Sequence, residues 1–151
     1  MTPEFTAETA DKYVLYQQAV QSAEQDVEFL FETYQTIRGK QPAHLREDFC
    51  GTCLLSAHWV KLGEDFTAES YDIDPEPLAW GLRNNLAGLG ETGMRVTQYQ
   101  EDARSPSRAA PDVRCAQNFS YWVFKKRSEM LGYFKGACDD LASDGIFVVD
   151  L

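Results

Sequence analysis

The sequence predicts an α/β protein with a doubly wound, mainly parallel sheet of five strands and helices on both faces. Five short apolar or alternating segments have the pattern of strands, and most are separated by helical stretches. Crossovers of this kind join parallel strands. A length of 151 residues fits one domain with its own core. A hydrophobic content of 44% argues against a disordered chain.

A helical extension is predicted over residues 1–43. A short helix is expected around Tyr13–Val20, and a longer one follows Ser22. Ser22 and Gln25 have the spacing of a capping box, in which two side chains satisfy free N–H groups reciprocally. Gly39 supplies a left-handed stop. The apolar stripe of the longer helix consists of Val27, Leu30, Phe31, Tyr34 and Ile37.

Strands and helices alternate over residues 44–151, the predicted core of the same single domain. The strands are expected in HLREDFC, FTAESYDID, MRVTQYQED, VRCAQNF and IFVVDL. Asp74 caps a helix that continues through Pro75 in its first turn. Two more helices are predicted over residues 52–62 and 122–141.

Ligands of such sheets bind at the carboxyl ends of the strands. The residues just past the predicted strands are Cys50–Cys53, Asp72–Asp74, Asp102–Ala103 and Asn118–Tyr121. A glycine there lets a backbone approach a ligand, although for this segment alone the favoured interpretation is that Gly51 makes a tight turn. Asp72 follows it by about 20 residues, a spacing at which an acid accepts ribose hydroxyls.

The later strand ends offer further candidates with alternatives. Asp102 could accept the exocyclic amine of an adenine beside the small Ala103, or simply make an Asp turn. After the fourth strand, Asn118 and aromatic neighbours could face a substrate. In the alternative interpretation, Ser120 caps the next helix and Phe119 belongs to the core.

The order EDFCGT, YDIDPEPL, YQEDARS, CAQNFSYWVF and DGIFVVDL resembles that of class I S-adenosylmethionine-dependent methyltransferases, over roughly Tyr13–Leu151. The resemblance implies a Rossmann-like core, S-adenosylmethionine as cofactor, and methyl transfer to an unidentified small molecule. The cofactor-binding residues it implies are Glu47, Cys50, Gly51, Thr52, Cys53, Asp72, Ile73, Asp102, Ala103, Asn118 and Phe119. Tyr13 and Tyr16 of a helical lid, with Tyr121, are candidates for contacting the substrate.

Two features depart from the family. Its loop commonly has three glycines, and the corresponding residues here are Phe49, Gly51 and Cys53. A side chain makes a positive φ costly at the first and third positions, which puts cofactor affinity in doubt. The family sheet also continues past the fifth strand. We therefore expect a fragment or truncated product, with pairing of two copies through the exposed fifth strand as the alternative.

Two other functions remain open. Cys50 and Cys53 form a C-x-x-C motif at a strand-to-helix junction, as in dithiol oxidoreductases. A degenerate module that binds a protein partner is the other possibility. No metal site is predicted, because Cys115 and Cys138 lack the spacing of zinc ligands and are expected in the core. Neither His44 nor His58 has an evident catalytic partner, so no catalytic residue is assigned.

Composition limits the partners and the location. The net charge of −10 disfavours binding to nucleic acid, where affinity depends on Lys and Arg. No apolar run approaches the ~20 residues that span a membrane, and the N-terminus lacks a secretory signal. Four cysteines do not make a disulfide framework. The sequence therefore predicts a cytoplasmic protein that binds small molecules, not nucleic acid or membranes.

Overall fold

The computed structural model describes residues 5–150. Residues 1–4 and Leu151, which the predicted extension and fifth strand include, lie outside this range. The helices are α1 (Lys12–Val20), α2 (Ala23–Arg38), α3 (Leu54–Trp59), α4 (Pro75–Gly81) and α5 (Arg127–Asp140). The strands are β1 (His44–Asp48), β2 (Thr67–Tyr71), β3 (Val96–Tyr99), β4 (Val113–Ala116) and β5 (Ile146–Val149).

The five strands form one parallel sheet in the order β3-β2-β1-β4-β5. The order reverses between β1 and β4, which confirms the predicted doubly wound topology. Glu47 of β1 is in register with Ser70 on one side and Cys115 on the other. Among the described residues β5 pairs only with β4, so it forms an edge of the sheet.

The core has two parts. One contains buried side chains of α2 and α3 packed on the sheet, such as Leu30 and Trp59. The other includes Tyr133 of α5, packed near Phe124 and Ala116. Helices thus cover both faces of the sheet, as predicted. No helix within residues 5–150 is long and apolar enough to cross a membrane.

Two of the three predicted helix-end signals are present. Gly39 ends α2 with a φ of 70°, and the Asp74 carboxylate accepts the Glu76 N–H at 3.0 Å. The predicted Ser22 capping box is wrong, because the Ser22 side chain makes no cap hydrogen bond. Its ψ of 57° lies outside the extended region in which a capping side chain reaches the first N–H groups.

Two predictions for the C-terminal half of the chain are also wrong. The helix expected over residues 122–141 begins only at Arg127, after a 3₁₀ turn over Ser120–Val123. Phe124 interrupts it in an extended conformation, since its ring is buried in the core. Cys115 is buried as expected, but Cys138 lies on the exposed face of α5.

Candidate functional site

A cleft lies at the carboxyl ends of β1 and β4, beneath α1 and the start of α2, and encloses about 80 Å³. We call it the cofactor cleft, after the cofactor that the sequence resemblance implies. Its walls include Tyr13, Tyr16, Gln21, Asp26, Glu47, Cys50, Gly51, Thr52, Gln117 and Asn118. The strand-end residues Glu47, Cys50–Thr52 and Asn118 are therefore brought together, as the sequence predicts.

The loop after β1 takes the left-handed conformation at every second residue. The φ angles are 55° at Phe49, 53° at Gly51 and 58° at Cys53. These are the three positions where the resembled family has glycine. A left-handed conformation costs about 1–2 kcal/mol for a residue with a side chain. The expected cost is thus incurred at two positions, yet the loop keeps its shape.

Tertiary contacts hold these two residues in place. The Phe49 ring lies 6.0 Å from the ring of Phe124 and 5.9 Å from that of Tyr133. Cys53 is fully buried, and its Sγ accepts a hydrogen bond from Gln98 Nε2 at 3.1 Å. The packing of the Phe49 ring and the Cys53 thiol therefore offsets the energetic cost of a conformation that glycine would adopt freely.

Asp72 ties the end of β2 to this loop. One carboxylate oxygen accepts the Gly51 N–H at 2.8 Å, and the other accepts the Asp74 N–H at 2.9 Å. Each carboxylate oxygen can accept a second hydrogen bond, so the group retains capacity for a ligand hydroxyl. Ile73 beside it is 70% exposed, so most of this apolar side chain is uncovered.

Glu47 is a buried carboxyl group on the floor of the cleft. Its Oε2 accepts the Ser56 N–H at 3.1 Å and the Ser56 hydroxyl at 2.5 Å. Burial raises the pKa of Glu47 from 4.5 to about 7, although the Ser56 hydrogen bonds oppose this rise. The negative charge of nearby Asp72 raises it further. Glu47 therefore titrates near neutral pH.

The turn after β3 is held by arginines. Asp102 pairs with Arg104 through two contacts of 2.9 and 2.7 Å, and these hydrogen bonds lower the Asp102 pKa. The carbonyl oxygen of Ala103 accepts Arg46 Nη2 at 2.9 Å and Arg114 Nη2 at 2.7 Å. Neither Asp102 nor Ala103 lines the cofactor cleft, so the structure leaves their predicted role open.

Arg46 and Arg114 also belong to a buried ionic cluster that the sequence analysis missed. Asp48 is 1% exposed and accepts hydrogen bonds from Arg46 Nε at 2.8 Å, Arg114 Nε at 2.7 Å and Tyr133 Oη at 2.7 Å. Asp140 contacts both guanidinium groups. Two arginines and two aspartates balance in charge, which makes their burial tolerable.

The segment after β4 depends on Asp150, which the sequence analysis also missed. Its carboxylate accepts the N–H groups of Asn118 and Phe119 at 2.7 and 2.9 Å. Both residues have positive φ angles, 56° and 54°. A carboxylate directly after the last strand was the available signal, but its partners lie 31 or more residues away.

Both parts of the alternative interpretation of this segment are wrong, and Tyr121 is buried. Phe119 is 44% exposed, so it is not a core residue. The Ser120 hydroxyl donates to the Gln117 carbonyl at 2.7 Å and does not cap α5, which begins later. Tyr121 is 3% exposed and donates to the Asp150 carbonyl at 2.8 Å. Its ring packs edge-on against Phe134 and does not line the cofactor cleft, so its contact with a substrate stays a prediction.

Helix α1 covers the cleft through polar contacts. Gln17 Nε2 donates to Thr52 Oγ1 at 2.8 Å, and Trp80 Nε1 donates to Asp11 at 2.8 Å. Both Tyr13 and Tyr16 line the cleft, in the position expected of a lid. No residue of α1 is buried, so few apolar contacts oppose its displacement.

The chemistry of the two thiols does not favour a redox role. Cys50 and Cys53 are buried free thiols with Sγ atoms 3.4 Å apart. Burial raises the pKa of Cys50, whereas a dithiol oxidoreductase needs a lowered one. His58 lies on α3 outside the cleft, and burial lowers its pKa because it disfavours the charged imidazolium form. Within residues 5–150 no group of three or more potential ligands could hold a metal ion.

The fold is similar to those of solved methyltransferases. CalS10, an amino pentose methyltransferase from Micromonospora echinaspora, superposes with a TM-score of 0.75 at 17% identity, over 99% of this chain and 57% of that one. An S-adenosylmethionine-dependent methyltransferase from Clostridium acetobutylicum superposes with a TM-score of 0.76 at 17% identity, over 92% of this chain and 55% of that one. The glycopeptide N-methyltransferase MtfA, solved with S-adenosylmethionine, superposes with a TM-score of 0.67 at 18% identity, over 97% of this chain and 59% of that one.

The chain thus spans just over half the length of these proteins. No family model and no curated protein matches the sequence. The chain has the fold of the class I S-adenosylmethionine-dependent methyltransferases.

Proposed function

We propose that the chain is an S-adenosylmethionine-dependent methyltransferase acting on a small molecule. The observation that carries this proposal is the loop after β1, whose three alternate residues keep positive φ angles although two of them are not glycine. A backbone held in that shape at an energetic cost is typical of a ligand-binding site.

The described residues fit this cofactor. Nothing lies within 4 Å of the position a Gly51 Cβ would take, so the loop has an open face at that residue. Asp72 would accept the ribose hydroxyls, and the exposed Ile73 would cover the adenine ring. The Asp102–Ala103 turn would bind the adenine edge. Glu47, in its ionised form, would attract the positive charge of the methionine part.

When bound, S-adenosylmethionine would supply an electrophilic methyl group on a positively charged sulfur to an acceptor that carries a lone pair. The chain's own residues align the acceptor and exclude water. The cleft's 80 Å³ is too small for a ligand of this size. We therefore propose that α1 moves away from the core to let the cofactor enter. In this proposal residues 1–43 form a lid and residues 44–151 form the core.

The neighbours support a small or peptide-like acceptor, since their names give an amino pentose and a glycopeptide. Four cysteines that are free thiols are compatible with the reducing cytoplasm as location. The open edge of β5 would pair with further chain or with a second copy. The second candidate function, a partner-binding module, is favoured by the same open edge.

Calorimetric titration with S-adenosylhomocysteine tests the proposal. Wild type should bind one equivalent, and Asp72→Ala should weaken binding by about 1–3 kcal/mol, the loss of hydrogen bonds to a charged group. The matched control Asp65→Ala removes an exposed carboxylate away from the cleft and should bind as wild type does. Absence of binding by a folded wild type would refute cofactor binding and favour the partner-binding module.

A further inference from the structure

A second cleft of about 350 Å³ lies beside the cofactor cleft, at the carboxyl ends of β4 and β5. We call it the acceptor cleft. Asp26, Gln117 and Asn118 line both clefts, so the two are neighbours across these residues. Phe29 and Val148 contribute apolar wall. A molecule in the acceptor cleft would therefore reach the cofactor cleft past Asp26.

The charges around the two clefts have one sign. Among the described residues, no lysine, arginine or histidine lines either cleft, whereas four acids do: Asp26, Glu47, Asp48 and Asp150. Ser56 donates to Glu47, and two arginines donate to Asp48. Asp150 accepts the backbone N–H groups after β4. These three carboxyl groups thus have structural partners.

Asp26 differs from them. It is a partly buried residue in the first turn of α2, and within residues 5–150 its carboxylate has neither a hydrogen bond nor an ion pair. Burial raises its pKa, and the charge of Asp150 raises it further. A cation or an N–H donor bound beside Asp26 would therefore stabilise its ionised carboxylate.

Gln21 provides an independent sign of a missing donor. Its Oε1 atom is buried and has no hydrogen-bond partner among the described residues, and the residue lines the cofactor cleft near Asp26. Buried carbonyl oxygens are nearly always paired in native structures. A ligand that carries N–H donors would satisfy Gln21 as well as Asp26.

We infer that the methyl acceptor is a primary or secondary amine, bound as its ammonium form by Asp26. This inference rests on the proposed methyl transfer and names the substrate class for it. The ammonium group and the carboxylate form a charge-assisted hydrogen bond. One N–H bond then breaks and an O–H bond forms on Asp26, so both groups become neutral and the electron pair stays on nitrogen as the attacking lone pair. Asp26 later returns the proton to water.

Three probes with one aromatic ring and different charges test the inference: benzylamine, benzyl alcohol and benzoate. Each is titrated into the full chain, with and without saturating S-adenosylhomocysteine, and binding is measured by calorimetry. Wild type should bind benzylamine about tenfold or more tightly than benzyl alcohol, as expected for a hydrogen bond to a charged group, and benzoate least. Equal binding of the three probes, or no binding of benzylamine, overturns the inference.

The variant Asp26→Asn should lose most of the preference for benzylamine while its affinity for benzyl alcohol stays the same. Asp65→Asn removes the same charge from an exposed loop and should keep the preference. If Asp26→Asn does not fold, the order of the three probes' affinities for wild type tests the inference by itself. Binding of S-adenosylhomocysteine without an ammonium preference overturns only this inference, whereas failure to bind S-adenosylhomocysteine overturns the proposed function itself.

Discussion

The buried carboxyl group of Glu47 predicts an unusual dependence of stability on pH. Its pKa is about 7 in the folded protein, against an ordinary value of 4.5. Between these two pH values the folded state holds a proton that the unfolded state has released. Stability therefore falls as the pH rises through this window. The opposite sign would hold for a carboxyl group with a lowered pKa.

The magnitude follows from the width of the window. A shift of one pKa unit corresponds to about 1.4 kcal/mol, so the 2.5 units give a loss of about 3 kcal/mol once the pH exceeds 7. At 5% exposure, solvent screens the group little. Glu47→Gln should remove this loss, because the amide oxygen can still accept the Ser56 hydrogen bonds and does not ionise.

Urea unfolding at several pH values, followed by circular dichroism, measures the effect. The difference in unfolding free energy between Glu47→Gln and wild type should increase by about 3 kcal/mol in favour of the variant from pH ~4.5 to ~8. The exposed Glu64→Gln is the matched control and should show no such change. A difference that does not vary with pH would refute the reasoning.

Three further predictions concern packing around the site. Gly81→Ala should lower the unfolding free energy by about 1–3 kcal/mol, since its Cβ would lie 2.1 Å from the Thr52 carbonyl oxygen. Gly136→Ala is the control and should not destabilise the protein, because the space around its Cβ is open; equal melting temperatures of the two variants would contradict the prediction. Tyr133→Phe should cost about 1–3 kcal/mol in urea unfolding, because Asp48 loses a donor; a neutral result would show that the cluster does not need it. In native protein Cys50 should react with a thiol reagent far more slowly than the exposed Cys138, as followed by mass spectrometry; comparable rates would exclude a buried, protonated thiol.

The sequence predicts the sheet and its strand ends because periodicity and turn residues are local signals. Asp74 and Gly39 act within a few residues of their own positions, and both behave as predicted. Asp72 could be placed for a similar reason: a strand that ends at Tyr71 puts the next residue at the carboxyl edge of the sheet.

The remaining features depend on contacts that are distant in sequence. Arg46 and Asp48 would be solvent-exposed in an isolated strand, and their burial is tolerated only because Arg114 and Asp140 complete the ionic cluster. Phe49 takes a left-handed conformation because aromatic rings from α5 and the segment before it surround its side chain. No single-sequence pattern encodes either arrangement.

The segment before α5 shows the same limit. Helical periodicity from Trp122 to Leu141 is continuous in the sequence, but burying Phe124 breaks the helix. Tertiary packing there overrides local propensity.

A crystal structure of the chain with S-adenosylhomocysteine would test the central claim most directly. The account predicts the ribose hydroxyls on the Asp72 carboxylate, the homocysteine part along the loop from Phe49 to Cys53, and α1 displaced from Thr52. A ligand bound elsewhere, or a cleft that stays closed and empty at saturating ligand, would contradict it.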